Sequence, residues 1–133
     1  MKKNFFATLL ALLTLASCTK EDPAAWLDGT HWRYTYTENT GRKITCELVL
    51  KANSYNKGEL VITDRYSSWQ TEWNNNWRWW VSSYTYDGEH GTIYLSPVNA
   101  GVPEGNATFT LNYDQKKMYL NTPIDSYTLE RTK

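Results

Sequence analysis

KITCELVLK, Lys43–Lys51, is the stretch that decides the fold. Ile44, Cys46, Leu48 and Leu50 alternate with Thr45, Glu47, Val49 and Lys51. A strict period of two sets the first group on one face of an extended strand and the second on the other. On its N-terminal side His31–Glu38 also alternates, with Trp32, Tyr34 and Tyr36 on one face, and Asn39-Thr40-Gly41 predicts the turn between the two. On its C-terminal side Asn53–Gly58 reads as a turn and Glu59–Arg65 as a strand carrying Leu60 and Ile62.

The same pattern continues to the end of the chain. A tryptophan-rich segment leads into a strand over Arg78–Tyr86, and Asp87-Gly88-Glu89-His90-Gly91 predicts a tight hairpin turn. Strands follow at Thr92–Ser96, Asn106–Asn112, Lys117–Leu120 and Ser126–Arg131, with a longer loop over Pro97–Gly105 and a turn at Tyr113–Lys116. From Trp26 onward there is no long stretch of helical period. Parallel neighbours would need crossovers of about a dozen residues, so these eight strands must pair antiparallel. Closure removes the exposed edges of such a meander. The fold class expected is all-β, an eight-stranded antiparallel up-and-down β-barrel, with a flattened sandwich or half-open sheet as the alternative. The candidate inward residues, among them Trp32, Leu48, Leu60, Ile93, Phe109 and Leu129, are bulky. A barrel of eight strands is just wide enough to be filled by side chains or to hold one small ligand. The expectation is a packed interior with room for a shallow pocket at one mouth.

The N-terminus carries an address. Lys2 and Lys3 precede an apolar run, Phe5–Leu15, of eleven residues. That is too short for a membrane span, which needs about 20, and reads as a signal peptide. Leu15-Ala16-Ser17-Cys18 resembles the lipobox of bacterial lipoproteins. The resemblance implies cleavage before Cys18 and lipidation of Cys18, which would hold the protein on a membrane. Thr19-Lys20-Glu21-Asp22 is similar to the surface-export signal of Bacteroidota lipoproteins, or is simply a solvated charged tether. The division expected is a signal peptide over 1–17, a lipid-anchored tether over 18–25 and a barrel domain over 26–133. The expected location is the outer membrane, facing the exterior.

Three short phrases resemble small lipocalin-like lipoproteins of the Bacteroidota. They are Leu27-Asp28-Gly29-Thr30-His31-Trp32, the passage from Tyr84 to Leu95, and Tyr127-Thr128-Leu129-Glu130-Arg131. The group has one residue fewer between the Gly and the Trp of the opening phrase. The resemblance implies a lipocalin-like barrel, a contact between Trp32 and Arg131, and a binding role.

Removing Lys2 and Lys3 with the signal peptide leaves twelve basic and fourteen acidic residues. With no basic run, this argues against nucleic acid as a partner. Among the catalytic motifs, Gly-x-Ser-x-Gly, a phosphate loop, His-x-His and His-Glu-x-x-His are absent from the sequence. The reading is a non-enzyme without cofactor or metal. Asp87, Glu89 and His90 share one turn, where a solvated tip is the ordinary explanation. Cys46 lies on an apolar face and reads as a small buried hydrophobe rather than a reactive thiol.

The candidate ligand-binding residues are Trp69, Trp73, Trp77, Trp79 and Trp80, in WQTEWNNNWRWW. Asn74-Asn75-Asn76 predicts a turn between them, with Trp73 set opposite Trp77; a short helix is the weaker alternative. Three readings stay open. The indoles cap the barrel, they bind a glycan or a small apolar molecule, or they make a protein contact, with an envelope protein or with another copy of the chain. Trp79 and Trp80 are consecutive, so in a strand they point to opposite faces.

Overall fold

The computed structural model describes residues 22–51 and 56–133. The signal segment, Cys18 and part of the turn expected at Asn53–Gly58 lie outside the described residues. The strands are β1 (His31–Thr37), β2 (Lys43–Leu50), β3 (Gly58–Ser67), β4 (Glu72–Tyr86), β5 (Gly91–Pro97), β6 (Ala107–Leu111), β7 (Lys117–Asn121) and β8 (Ser126–Arg131). Each pairs antiparallel with the next, and β1 pairs with β8 to close an eight-stranded barrel. The expected up-and-down barrel is therefore the fold, and neither the sandwich nor the half-open sheet forms.

β2 behaves as its alternation dictates. Cys46, Leu48 and Leu50 are buried and Glu47 is exposed. Cys46 sits opposite Ile62 and Leu48 opposite Leu60 on β3, so one apolar face continues across strands. The interior is filled, with Trp32, Trp79, Met118, Leu120 and Leu129 all fully buried. A buried indole needs a partner for its N–H. Trp32 Nε1 donates to Thr30 Oγ1 at 2.8 Å, and Thr30 Oγ1 in turn donates to the Leu27 carbonyl at 2.7 Å. Trp79 Nε1 donates to the Pro103 carbonyl at 2.9 Å.

A bulge lets β4 serve the core twice. The register against β5 shifts between Val81 and Ser83. Before it, odd-numbered Trp77, Trp79 and Val81 point inward; after it, even-numbered Tyr84 and Tyr86 do. One extra residue inverts the side-chain parity of everything that follows. At the start of β5 the Phe109 ring lies over Gly91, where an added Cβ would stand 2.1 Å from the ring. Glycine is the side chain that leaves room for it.

The two ends of the barrel differ. Pro23–Leu27 forms a 3-10 helix that buries Leu27 and packs Ala24 against the core. Asp22 caps this helix by accepting from the Ala24 N–H at 3.0 Å. The last residues assigned to the tether, Pro23–Ala25, are thus ordered and close one end of the barrel. The C-terminus lies at the same end, where His31 N–H donates to the Lys133 carbonyl at 3.1 Å. The expected contact between Trp32 and Arg131 is present, with the guanidinium carbon 6.0 Å from the ring centroid. At the other end the loop 98–106 folds inward with Val102 buried, and its Pro103 carbonyl holds Trp79. That covers the β4–β6 side of the opening. The opposite side stays open. β1 pairs with β8 only at Trp32↔Arg131 and Arg33↔Glu130, so beyond Arg33 the two strands part.

A candidate binding cleft at the open end

The cleft occupies the seam where β1 and β8 separate. Tyr34 of β1, Ile44 of β2, Ile62 and Asp64 of β3, Trp77 of β4 and Tyr127 of β8 line it, together with Arg42 and the segment Ile124–Ser126. Its volume is about 200 Å³. Tyr34 and Tyr127 lean on each other across the seam, centroids 5.5 Å apart at 50°. Burial raises the Tyr127 phenol above its ordinary pKa, so it stays protonated and able to donate.

Asp64 is the polar centre. β3 points Leu60, Ile62, Asp64 and Tyr66 to one face, so the strand that builds the core also carries a carboxylate to the mouth. Arg42 reaches it from the turn before β2 with two hydrogen bonds, Nε to Oδ1 at 3.0 Å and Nη2 to Oδ2 at 2.8 Å. This fork geometry is the strong form of the pair. The Arg42 guanidinium holds the Asp64 carboxyl below its usual pKa, against a smaller opposing effect of burial. Trp73 Nε1 also lies 3.5 Å from Asp64 Oδ1. Trp73 packs on Tyr66 with centroids 4.8 Å apart, forming an aromatic step on the rim.

The turn expected at Asn74–Asn76 does not form. These residues are extended within β4, opposite Arg65, Asp64 and Thr63 of β3. The reversal lies earlier, at Ser68–Thr71. Ser68 Oγ accepts from the Thr71 N–H at 3.0 Å, and Ser68 N–H donates to the Thr71 carbonyl at 2.8 Å. Trp73 therefore faces Tyr66, not Trp77. Pairing with β3 overrides the weak turn preference of the Asn run, while Ser68 supplies local hydrogen bonds that an extended strand cannot use.

The five indoles separate into distinct roles. Trp79 is 0% exposed and belongs to the core. Trp77 is half-buried in the cleft wall and Trp73 stands on its rim. Trp69 is 90% exposed at the hairpin tip, and Trp80, 41% exposed, faces outward from the barrel wall. They do not form one site. Reading tryptophans alone also misses Arg42, Asp64, Tyr34 and Tyr127. The available signal was Asp64, a carboxylate in phase with Leu60 and Ile62.

Elsewhere, Asp87 Oδ1 accepts from the N–H groups of Glu89 and His90, so this carboxylate is used to hold its turn. Cys46 is buried, and desolvation raises its thiol pKa, which leaves it a poor nucleophile. Among the described residues no three of His, Cys, Asp and Glu are grouped to hold a metal. A larger depression of about 580 Å³ at the closed end is lined by residues such as Lys116, Lys117, Glu130 and Arg131, with no aromatic ring among its walls. Ligand sites combine apolar or aromatic surface with a few placed polar groups, and the cleft at the open end has that combination. Comparison with family models, with curated proteins and with solved structures finds no match to the chain.

Proposed function

We propose that this protein is a lipid-anchored, non-catalytic binding protein of the outer cell surface, and that it holds a glycan ring in the cleft at the open end. One observation carries the choice of ligand. The cleft brings the rings of Tyr34, Trp77 and Tyr127 into one lining with the Arg42–Asp64 pair. Sugar rings present apolar faces and hydroxyl edges together, and this surface offers a partner to each. A purely apolar ligand would need an empty greasy interior, and that interior is filled by Trp32, Trp79 and the leucines around them.

The anchor fits the same geometry. Cys18 precedes Asp22 by four residues, which span at most roughly 14 Å. Lipid on Cys18 would hold the closed end near the bilayer and leave the cleft facing away from it. Loss of palmitate labelling in Cys18→Ala tests the anchor. For the ligand, tryptophan fluorescence is titrated with oligosaccharides, fatty acids and haem. A shift with a saccharide that disappears in Trp77→Ala and Asp64→Asn supports the reading. Shifts with fatty acid or haem alone would replace the glycan, and no shift with any class would remove the binding function. A second reading is favoured by Trp69, which stands almost fully exposed at the hairpin tip. An accessory subunit of an outer-membrane assembly would use such a tip for protein contact, and would co-purify with envelope proteins in a manner lost on Trp69→Ala.

A further inference from the structure

The chain reaches the barrel at its closed end, and it does so on a short lead. Residues 19–21 separate Cys18 from Asp22, and the four residue steps span at most roughly 14 Å. From Asp22 onward the chain is fixed to the barrel, because Asp22 caps the helix Pro23–Leu27 and Leu27 is buried in the core. A 3-10 helix has three residues per turn, so Trp26 points well away from its neighbour Leu27. Trp26 is 54% exposed and borders a shallow depression of about 300 Å³ lined also by Pro23, Tyr86, Gly88 and Gln115. The turn between β6 and β7 that carries Gln115 also carries Tyr113, which is 98% exposed. Alternate turns of an up-and-down barrel share an end, so this turn and the one between β4 and β5 both open on the side from which the lead arrives.

We propose that the closed end is a membrane-docking face, with Trp26 and Tyr113 seated in the headgroup layer of the bilayer that holds Cys18. The proposal rests on the reading of Cys18 as lipidated. Trp and Tyr are the side chains enriched at membrane–water interfaces, where an apolar ring and a polar tip each meet a suitable medium. The length of the lead selects the bilayer as what covers these rings. The polar layer of each leaflet is itself roughly 5–7 Å deep, so a lead of at most roughly 14 Å has little length left beyond it. The helix that begins one residue after Asp22 is then held against the headgroups. The lead also explains why two rings suffice. One exposed ring is ordinary on a protein surface, and two would bind a bilayer weakly from solution. A short tether turns the contact into an intramolecular one, at an effective concentration of about millimolar, where weak contacts are occupied. Charge adds little to it. Lys116 and Lys117 follow Tyr113 in the chain, but Asp114 stands between, and Asp22 caps the helix of Trp26. Burial of the rings therefore carries the contact. Trp69, the almost fully exposed indole of the hairpin tip, lies at the opposite end of the barrel and does not share this face.

The test uses the full chain, purified from membranes and reconstituted in vesicles of phosphatidylethanolamine and phosphatidylglycerol. A matched set of vesicles also carries phosphatidylcholine brominated near the head of its acyl chains. Bromine quenches an indole only at contact, so the brominated set should quench part of the wild-type tryptophan emission. Trp26→Phe should lose that quenching, and Trp69→Phe should keep it. Tyr113→Trp added to Trp26→Phe should restore it, which reads the second ring. High salt should leave the quenching in place, because the rings and not the lysines make the contact. Flotation with the vesicles, lost in Cys18→Ala, reads the anchor by itself. A chain that does not float refutes lipidation of Cys18, and the docking face falls with it. A chain that floats but shows no quenching, or the same quenching in Trp26→Phe as in the wild type, overturns the docking face and leaves the anchor standing. Loss of the quenching in high salt would likewise overturn the assignment to the rings.

Discussion

Trp79 and Trp80 are neighbours in the chain, yet their replacement by alanine should differ severalfold in cost. Trp79 is 0% exposed, lies among the core side chains and donates to Pro103 at 2.9 Å. Truncating a buried Trp to Ala typically costs about 3–5 kcal/mol. Domains of this kind hold about 5–15 kcal/mol in total, so Trp79→Ala removes a large part of the stability. Trp80 faces outward opposite Glu59 and Ser96 and is 41% exposed. Its replacement should cost no more than about 1 kcal/mol. Trp79→Phe retains most of the packing but leaves the Pro103 carbonyl without its donor, and should cost about 1–3 kcal/mol. Urea unfolding followed by far-ultraviolet circular dichroism measures all three, since fluorescence would change with the probe. Equal costs at the two positions, or a larger cost at Trp80, would mean that β4 is displaced by one residue. A slip of one exchanges the two faces of a strand, so the assignment of Trp77 to the cleft would fall with it.

Gly91→Ala places a methyl group against the Phe109 ring, where a Cβ would stand 2.1 Å away; overpacking of this kind should lower stability by about 1–3 kcal/mol in the same urea assay, and a neutral result would refute the close approach. Asp64 has its pKa lowered by Arg42, so its contribution to stability is present above the usual carboxylate pKa and is lost as pH falls through the lowered folded value. The melting-temperature gap between the wild type and Asp64→Asn should therefore be full at neutral pH and close in acid, and a gap that widened in acid would show that the fork to Arg42 is not made. Cys46 is buried with a raised thiol pKa, so in a Cys18→Ala background a thiol reagent should label it at the rate of unfolding, and fast labelling of the folded protein would contradict its burial.

The barrel was legible because its signals are local. Period-two alternation in β2 and turn residues such as Asp87-Gly88 are visible within a few positions, and the number and order of strands follow from them. The cleft was less legible because it joins distant positions. Arg42 and Asp64 are separated by 22 residues, and Tyr34 meets Tyr127 only once β1 and β8 close the barrel. The Asn run was misread for a different reason. Asn favours turns when no neighbour offers a ladder, and here β3 does, opposite Arg65, Asp64 and Thr63. The bulge after Val81 was also hidden, since a change of parity cannot be told from a change of face until the strand has a partner.

The hairpin formed by β3 and β4 ties these features together. Core packing alone accounts for β4 from Trp77 onward, where Trp77, Trp79, Val81, Tyr84 and Tyr86 bury surface. It does not account for Glu72–Asn76, whose residues are all exposed and three of which are Asn, a residue depleted in strands. Extending a strand fixes backbone at a cost of about 1–2 kcal/mol per residue, and these residues recover little of it by burial in the monomer. What the extension provides is position. It carries Trp73 to the rim of the cleft beside Tyr66 and Asp64, and it holds one backbone edge clear of β5. The first follows from the pairing with β3, which sets Trp73 opposite Tyr66; the second follows because the chain after β5 reaches β4 no further than the Arg78 carbonyl, where Val98 N–H donates. Binding at the cleft would supply the contacts that the extended segment lacks on its own.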